Sequence, residues 1–253
     1  MTEQMFFNIL LISYFVLSAV IFITLFFIVA PYGRHYQRSW GTQMSDRLGW
    51  IIMEAPSPIL FAVFFVLGIK IVSLTAVAFL ILWEAHYAYR AFIYPFSRRA
   101  GASGMPVAVV LLGLLFNIGN AYLNGRYLFT LSAGYDSSWL VTPQFIIGAI
   151  LFIAGIFINH WADDSLRDLR QPGESGYKIP VGGMYRWISC PNYFGEILTW
   201  VGWAVATWSL PGLAFAVFTV ANLAPRARAH HLWYRKQFAD YPPQRKALVP
   251  AIW

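Results

Sequence analysis

Three carboxylates, Glu54, Glu84 and Glu196, stand in stretches otherwise almost free of charge. An ionisable group in an apolar run is costly to bury, so each is a functional hypothesis by default. Each comes with polar company at helical spacing. Glu84, Tyr87, Arg90 and Tyr94 recur at three- and four-residue steps, which places them on one helical face. Asn159, Asp163, Arg167 and Arg170 form a second stripe, Asn192 and Glu196 a third just after Pro191, and Arg226, His230 and Tyr234 a fourth. Together they describe a polar cavity lined by Arg, Asn, Asp and His. Arg binds phosphate bidentately, so the lining suits a phosphate-bearing cytosolic ligand. Some of these groups also have blander uses. A buried Glu such as Glu84 can serve as a hydrogen-bond partner for a neighbouring helix. Arg98, Arg99, Arg245 and Lys246 can snorkel to headgroups.

The elements that must carry these stripes are apolar helices. Residues 6–30 contain no charge and exceed the roughly 20 apolar residues a membrane crossing takes. Glu3 rather than a basic residue precedes this run, which is also too long for a secretory signal. Further spans are expected at 49–68, 72–95, 106–125, 142–160, 192–208 and 210–230, with Pro56 and Pro58 kinking or delaying the second. The expected fold is all-α, a polytopic membrane protein of seven transmembrane helices in one domain, residues 1–253. Of the eighteen Lys and Arg residues, Lys70 and Arg126 fall on one side and Arg90 within a span; all others fall on the opposite side. The positive-inside rule then puts the N-terminus outside and the C-terminus in the cytoplasm. All four stripes lie toward the cytoplasmic ends of their helices.

Composition agrees. The chain is 58% hydrophobic and 18% aromatic, with only 11% charged residues. A soluble domain carries about 25% charged residues, so a cytosolic globular enzyme is not expected, and the aromatic content excludes disorder. The single cysteine, Cys190, excludes a disulfide scaffold. The formal charge of +7 reflects the loop asymmetry facing anionic headgroups, not nucleic-acid binding. No strand-linked G-x-G-x-x-G, no P-loop, no H-E-x-x-H and no paired-cysteine metal site occurs. Adjacent His230 and His231 point to different helix faces, so no metal is expected.

The C-terminal third carries a more specific signal. The run LRQPGESGYKIPVGGMYRWISCPNYFGEILTWVGWAVATWSLPGLAFAVFTVANL and the ending RAHHLWYRKQFADYPPQRKALVPAIW closely resemble the steroid 5α-reductase family. PYGRH at 31–35, LGWIIMEAPS at 48–57 and HYAYRAFIYPF at 86–96 look like the family's corresponding segments. The family's members are seven-helix membrane enzymes that reduce the C4–C5 double bond of 3-oxo-4-ene steroids with NADPH. The resemblance therefore implies a reductase whose first four helices serve mainly the substrate and whose last three, with the cytoplasmic loops, serve mainly the cofactor. A steroid or related lipid and membrane lipids are the implied partners, with no nucleic acid and no obligate protein. The implied location is a bacterial inner membrane or the endoplasmic reticulum membrane. A reductase of another sterol or lipid enone is an alternative. So is a membrane S-adenosylmethionine-dependent methyltransferase of similar C-terminal layout. A seven-helix transporter or receptor is a third, although the polar groups cluster at one end rather than lining a full path.

Carried over by position, the resemblance implies that Glu54 and Tyr87 are the catalytic pair, hydrogen-bonding the steroid C3 carbonyl. Asn159, Asp163, Arg170, Asn192, Glu196, His230 and Tyr234 match positions around NADPH. Tyr94 and Trp200 match aromatic positions near nucleotide and steroid, and Arg98, with Arg99, joins Arg170 as a phosphate candidate. Asp163, a like charge, suits a ribose hydroxyl, an amide or a neighbouring Arg; Asn192 and Glu196 suit a carboxamide. An enone accepts hydride only when its carbonyl is polarised, so donors at that oxygen lower the barrier. Glu54 is accordingly expected either to be protonated or to accept from Tyr87. Three departures stand out. Met53 replaces the Gln that commonly precedes the catalytic Glu in the mammalian enzymes, losing an amide contact near the carbonyl. Ser97-Arg98-Arg99-Ala100 replaces Asn-Arg-Gly-Arg, and Ala229-His230-His231 replaces a run of three histidines.

Overall fold

The computed structural model describes residues 1–29, 41–68, 73–97, 104–169, 174 and 176–253. Among these the chain is mostly helical, as the apolar runs require: in hydrocarbon every backbone polar group must be satisfied within the segment. The helices are α1 Glu3–Phe27, α2 Asp46–Glu54, α3 Pro56–Gly68, α4 Leu74–Ala88, α5 Tyr94–Ser97, α6 Val107–Arg126, α7 Pro143–Asp168, α8 Pro191–Thr207 and α9 Leu210–Gln237. A two-residue ladder pairs β1 (Gln43–Met44) antiparallel with β2 (Met105–Pro106). Five helical runs of the described residues are long and apolar enough to cross a membrane: Glu3–Phe27, Asp46–Gly68, Val107–Leu131, Pro143–Asp168 and Leu210–Gln237. The architecture is that of a polytopic membrane protein.

The chain forms two compact units. The first comprises Met1–Ser13, Ala30–Ile146 and Thr207–Gly212; the second comprises Tyr14–Val29, Ile147–Ala206 and Leu213–Trp253.

In the first unit α3 packs against α6 and α4, and α2 packs against α6. Pro56 and Pro58 break the helix at Ala55, because neither can donate to the carbonyl four residues earlier. Glu54 is thereby the last residue of α2. A π-helical turn, Tyr89–Ile93, joins α4 to α5, and a second, Tyr127–Leu131, ends α6. Such turns insert one extra residue and so rotate the next stretch of helix relative to the preceding one. The helix start at Leu74 is tied to the segment before α7. Ser73 caps it by accepting from Ala76 N at 3.0 Å, and Thr75 Oγ1 donates to the Asp136 carbonyl at 2.6 Å. At the same end of the bundle Arg126 donates two hydrogen bonds to Glu3, at 2.8 and 2.9 Å.

The second unit rests on a seam of four glycines. Gly148 and Gly155 on α7 face Gly195 and Gly202 on α8, and each set is spaced by seven residues. A Cβ at Gly148 would fall 2.2 Å from Ala206 N, one at Gly155 2.4 Å from Thr199 N, one at Gly195 2.5 Å from Asn159 N, and one at Gly202 2.4 Å from Phe152 N. The two backbones are therefore in direct contact, the small-residue packing that drives helix association in lipid. C-terminal to α9 the chain folds back. Ser189 N donates to the Lys246 carbonyl at 2.9 Å and Lys246 N to the Trp187 carbonyl at 2.8 Å. Ser189 Oγ also lies 2.7 Å from both His231 Nδ1 and Tyr241 Oη.

The seam yields a direct prediction. Gly155→Val forces α7 and α8 apart and should cost about 1–3 kcal/mol or more, the range of overpacked cores. Thermal unfolding of the detergent-solubilised protein should show a lowered midpoint or loss of folded material. A midpoint equal to wild type would mean that the helices do not touch at Gly155.

Candidate active site

In the first unit three helix segments bring polar side chains to one buried place. The break after α2 delivers Glu54, α4 delivers Tyr87 one turn after Trp83, and α6 delivers Asn117. Glu54, Tyr87 and Asn117 are 9%, 3% and 5% exposed. Asn117 joins the other two: its Nδ2 donates to Glu54 Oε2 at 3.3 Å and to the Met53 carbonyl at 2.8 Å, and its Oδ1 accepts from Tyr87 Oη at 3.4 Å. On the other side of the carboxylate, Arg90 Nε lies 3.9 Å from Glu54 Oε1. The Arg90 guanidinium sits over the rings of Trp50 (4.6 Å) and Tyr94 (4.8 Å), themselves edge to face at 5.4 Å. Tyr87 is held by Trp83 and His86, with ring centroids 5.0 and 5.1 Å away. Of the expected stripe Glu84, Tyr87, Arg90 and Tyr94, Arg90 lies near Glu54, Tyr87 joins it through Asn117, and Tyr94 packs on Arg90. Glu84 is half-buried, with one carboxylate oxygen unpartnered.

The arrangement can bind and polarise a carbonyl. Tyr87 is a neutral hydroxyl donor in a site lined by aromatic rings, and Glu54 is a carboxyl group beside it. Donors preorganised in a low-dielectric site act on developing oxyanion charge without first having to be reorganised.

In the second unit the glycine seam sets Asn159 and Asp163 of α7 against Asn192 of α8. Asn159 Nδ2 donates to the Asn192 carbonyl at 2.9 Å, and Asn192 Nδ2 donates to Asp163 Oδ1 at 2.9 Å. One turn on, Trp200 Nε1 donates to Glu196 Oε1 at 2.8 Å. Trp200 is fully buried against Phe215 and Phe152. Tyr193 links α8 to α9: its hydroxyl lies 3.1 Å from His230 Nε2 and accepts from Arg226 Nη2 at 3.0 Å. Tyr234 is buried and stacks on Tyr241, the rings 9° from parallel at 5.3 Å. Arg98 and Arg170 lie outside the described residues. No cluster of three or more His, Cys, Asp or Glu able to hold a metal occurs among the described residues.

Several of these residues were not singled out by sequence: Asn117, Trp50 and Tyr193. A signal for the first existed. Asn117, Asn120 and Asn124 recur at three- and four-residue steps in an apolar span, and all three are buried. Trp50 and Tyr193 carry no such mark, because aromatic residues are common throughout the chain.

Comparison with known proteins identifies the family. The sequence profile of the 3-oxo-5-alpha-steroid 4-dehydrogenase family matches residues 103–253. The chain is 38% identical over 258 residues to steroid 5-alpha-reductase DET2 of Gossypium hirsutum, covering 100% of this chain and 99% of that protein. It is 38% identical to 3-oxo-5-alpha-steroid 4-dehydrogenase 1 of Bos taurus, over 93% of each chain. It is 39% identical to the Homo sapiens protein of the same name, over 87% of this chain and 85% of the other. The profile match covers more than half the chain and the relatives cover nearly all of it, so the chain belongs to the 3-oxo-5-alpha-steroid 4-dehydrogenase, or steroid 5-alpha-reductase, family of enzymes.

Proposed function

We propose that this protein reduces the C4–C5 double bond of 3-oxo-4-ene steroids with NADPH, using Glu54 and Tyr87 to polarise the C3 carbonyl. The observation that carries this reading is the buried cluster of Glu54, Tyr87 and Asn117, in a chain of this family. Tyr87 donates its O–H to the C3 oxygen. Glu54, when protonated, is the second donor; when ionised, it accepts from its neighbours and holds them in place. An ionised carboxylate facing the carbonyl oxygen would repel the forming enolate, so the protonated state is the productive one for direct contact. The hydroxyl strengthens its hydrogen bond as charge moves onto oxygen, and C4 afterward takes a proton that solvent water replaces. Bound NADPH supplies the hydride taken up at C5.

The residues of the second unit fit the cofactor by their chemistry. Two carboxamides and a carboxylate in series, Asn159, Asn192 and Asp163, offer donors and acceptors for ribose hydroxyls and for an amide. Glu196, with Trp200 and His230, extends this polar set, and Tyr234 and Tyr94 are the aromatic candidates. Arg170, with Arg98 and Arg99, and Arg226 are candidate cations for phosphate. Asp163 would repel a phosphate and is assigned to a hydroxyl or an amide.

Seven spans are proposed: the five long apolar helices, the run from Leu74 to Ser97, and α8. Charge asymmetry supports an external N-terminus and a cytoplasmic C-terminus. Family membership favours the reductase over the methyltransferase and transporter readings.

Two measurements test these roles. Purified protein in detergent or lipid should oxidise NADPH with testosterone or progesterone and form the saturated 3-oxo product, identified by mass spectrometry. Tyr87→Phe and Glu54→Gln should each lower turnover about 10²–10³-fold, the usual effect of removing one such donor. Near-normal turnover in both would remove the mechanism, and NADPH binding without oxidation would reject these steroids as substrates. Asp163→Ala and Asn192→Ala should weaken NADPH binding about tenfold each, as a lost hydrogen bond of roughly 1–1.5 kcal/mol predicts. Tyr87→Phe should leave that affinity unchanged. Equal affinities in all three variants would move the cofactor elsewhere.

A further inference from the structure

Asn117 occupies an unusual place in the first unit. Its side chain has three polar contacts, and two of them are to the pair assigned to the carbonyl. The third explains its orientation. The last carbonyls of a helix have no intrahelical partner, and α2 ends at Glu54 because of Pro56 and Pro58. The Met53 carbonyl is a pure acceptor, so the atom 2.8 Å from it must be the amide nitrogen of Asn117. With Nδ2 fixed there, its second N–H meets Glu54 Oε2, and Oδ1 is left to face the Tyr87 hydroxyl. One backbone acceptor thereby dictates the direction of both remaining hydrogen bonds. Close packing keeps α6 at this distance: a Cβ at Gly113, one turn before Asn117, would fall 2.2 Å from Met53 Sδ.

We propose that Asn117 is a positioning residue for the reaction: its amide holds Tyr87 and Glu54 in register and keeps Glu54 Oε2 as an acceptor. The proposal rests on the reading of Glu54 and Tyr87 as the carbonyl-binding pair. A structural role alone would need only the bond to Met53. In the resting protein the Tyr87 hydroxyl is parked on Asn117 Oδ1. When an enone oxygen arrives, that proton turns to it, and Asn117 keeps Glu54 from moving with it. Asn117 touches no reacting atom in this scheme and acts through its two neighbours.

The test uses three variants of the full-length protein. Asn117→Leu removes every hydrogen bond at similar volume. Asn117→Asp keeps an acceptor for Tyr87 but has no N–H for Met53 or Glu54. Asn117→Ser, smaller, guards against a folding defect in the other two, and thermal unfolding is measured for all. Turnover of NADPH with progesterone should fall about 10–100-fold in Leu and Asp, the range set by misplaced catalytic groups. KM for the steroid and the affinity for NADPH should stay within about threefold. A second readout needs no turnover. Progesterone carrying ¹³C at C3 is bound in the presence of oxidised cofactor, and its carbonyl stretch is measured by isotope-edited infrared spectroscopy. Wild type should show a lowered frequency, the mark of polarisation, and the variants should move back toward the value in solvent. Variants that match wild type in both kcat and carbonyl frequency overturn the positioning role while leaving the function intact. A wild type with neither turnover nor a carbonyl shift overturns the assigned reaction, and this role with it. Loss of thermal stability in all three variants with an unchanged carbonyl frequency reduces Asn117 to a structural residue.

Discussion

A carboxyl group taken out of water must find partners within the protein, and the first unit is arranged around that demand at Glu54. Even after relaxation, the cost of burying an ion is several kcal/mol, more than any single hydrogen bond returns. The response is distributed. Asn117 donates to one oxygen, Arg90 approaches the other at 3.9 Å, and the guanidinium spreads its own charge over two aromatic faces. Cation–π contact of this kind is worth about 2 kcal/mol or more when desolvated. Each supporting group depends in turn on a helix placed to deliver it. The prolines after Glu54, the π turn after Ala88 and the approach of α6 at Gly113 are therefore parts of one solution.

The second unit meets its polar demand by a different route. Its carboxamides and carboxylates lie along a seam where glycines bring two helix backbones together. Gly155 and Gly195 let the backbones touch, and only then can the Asn159 side chain reach the Asn192 carbonyl on the other helix. Polar side chains within helices add to packing in lipid modestly, about 0.6 kcal/mol on average. The glycines thus supply the proximity and the amides supply direction. A ligand with hydroxyls and a carboxamide would meet a row of groups already oriented by one another.

Much of this was legible in the sequence. Apolar length located the helices, because a span has a minimum length that hydropathy reports directly. The prolines at 56 and 58 marked the break that structure puts at Ala55. Boundaries were less accessible where helices outlast their apolar content. The expected span 142–160 continues to Asp168, where the last turns are polar and Arg167 pairs with Asp164 at 2.6 Å and with Asp168 at 3.0 Å. The run from Val107 extends through a π turn to Leu131, a change in hydrogen bonding that leaves no compositional trace. The seven-residue glycine spacing was visible, but only pairing of two helices gives it meaning. Asn117 escapes a reading by charge for a related reason. Neutral amides do not register as costly in the way that Glu54 and Glu84 do, although they can direct a carboxylate as effectively as a charge can.

That preference for neutral groups has a physical basis. Lysine or histidinium beside Glu54 would polarise a carbonyl more strongly in isolation, but each would add a further ion to a buried site that already holds the Arg90 guanidinium. A tyrosine hydroxyl gives its proton direction without carrying charge, and an asparagine both donates and accepts without titrating. The charged members of the cluster can then be few: one carboxyl group and one guanidinium, the second softened by Trp50 and Tyr94. In the proposed reaction, the field at the carbonyl oxygen would then be set mainly by oriented dipoles. Dipoles fixed by helix packing need not reorganise when charge develops, and a membrane interior, which cannot reorganise either, is a setting where that property counts most.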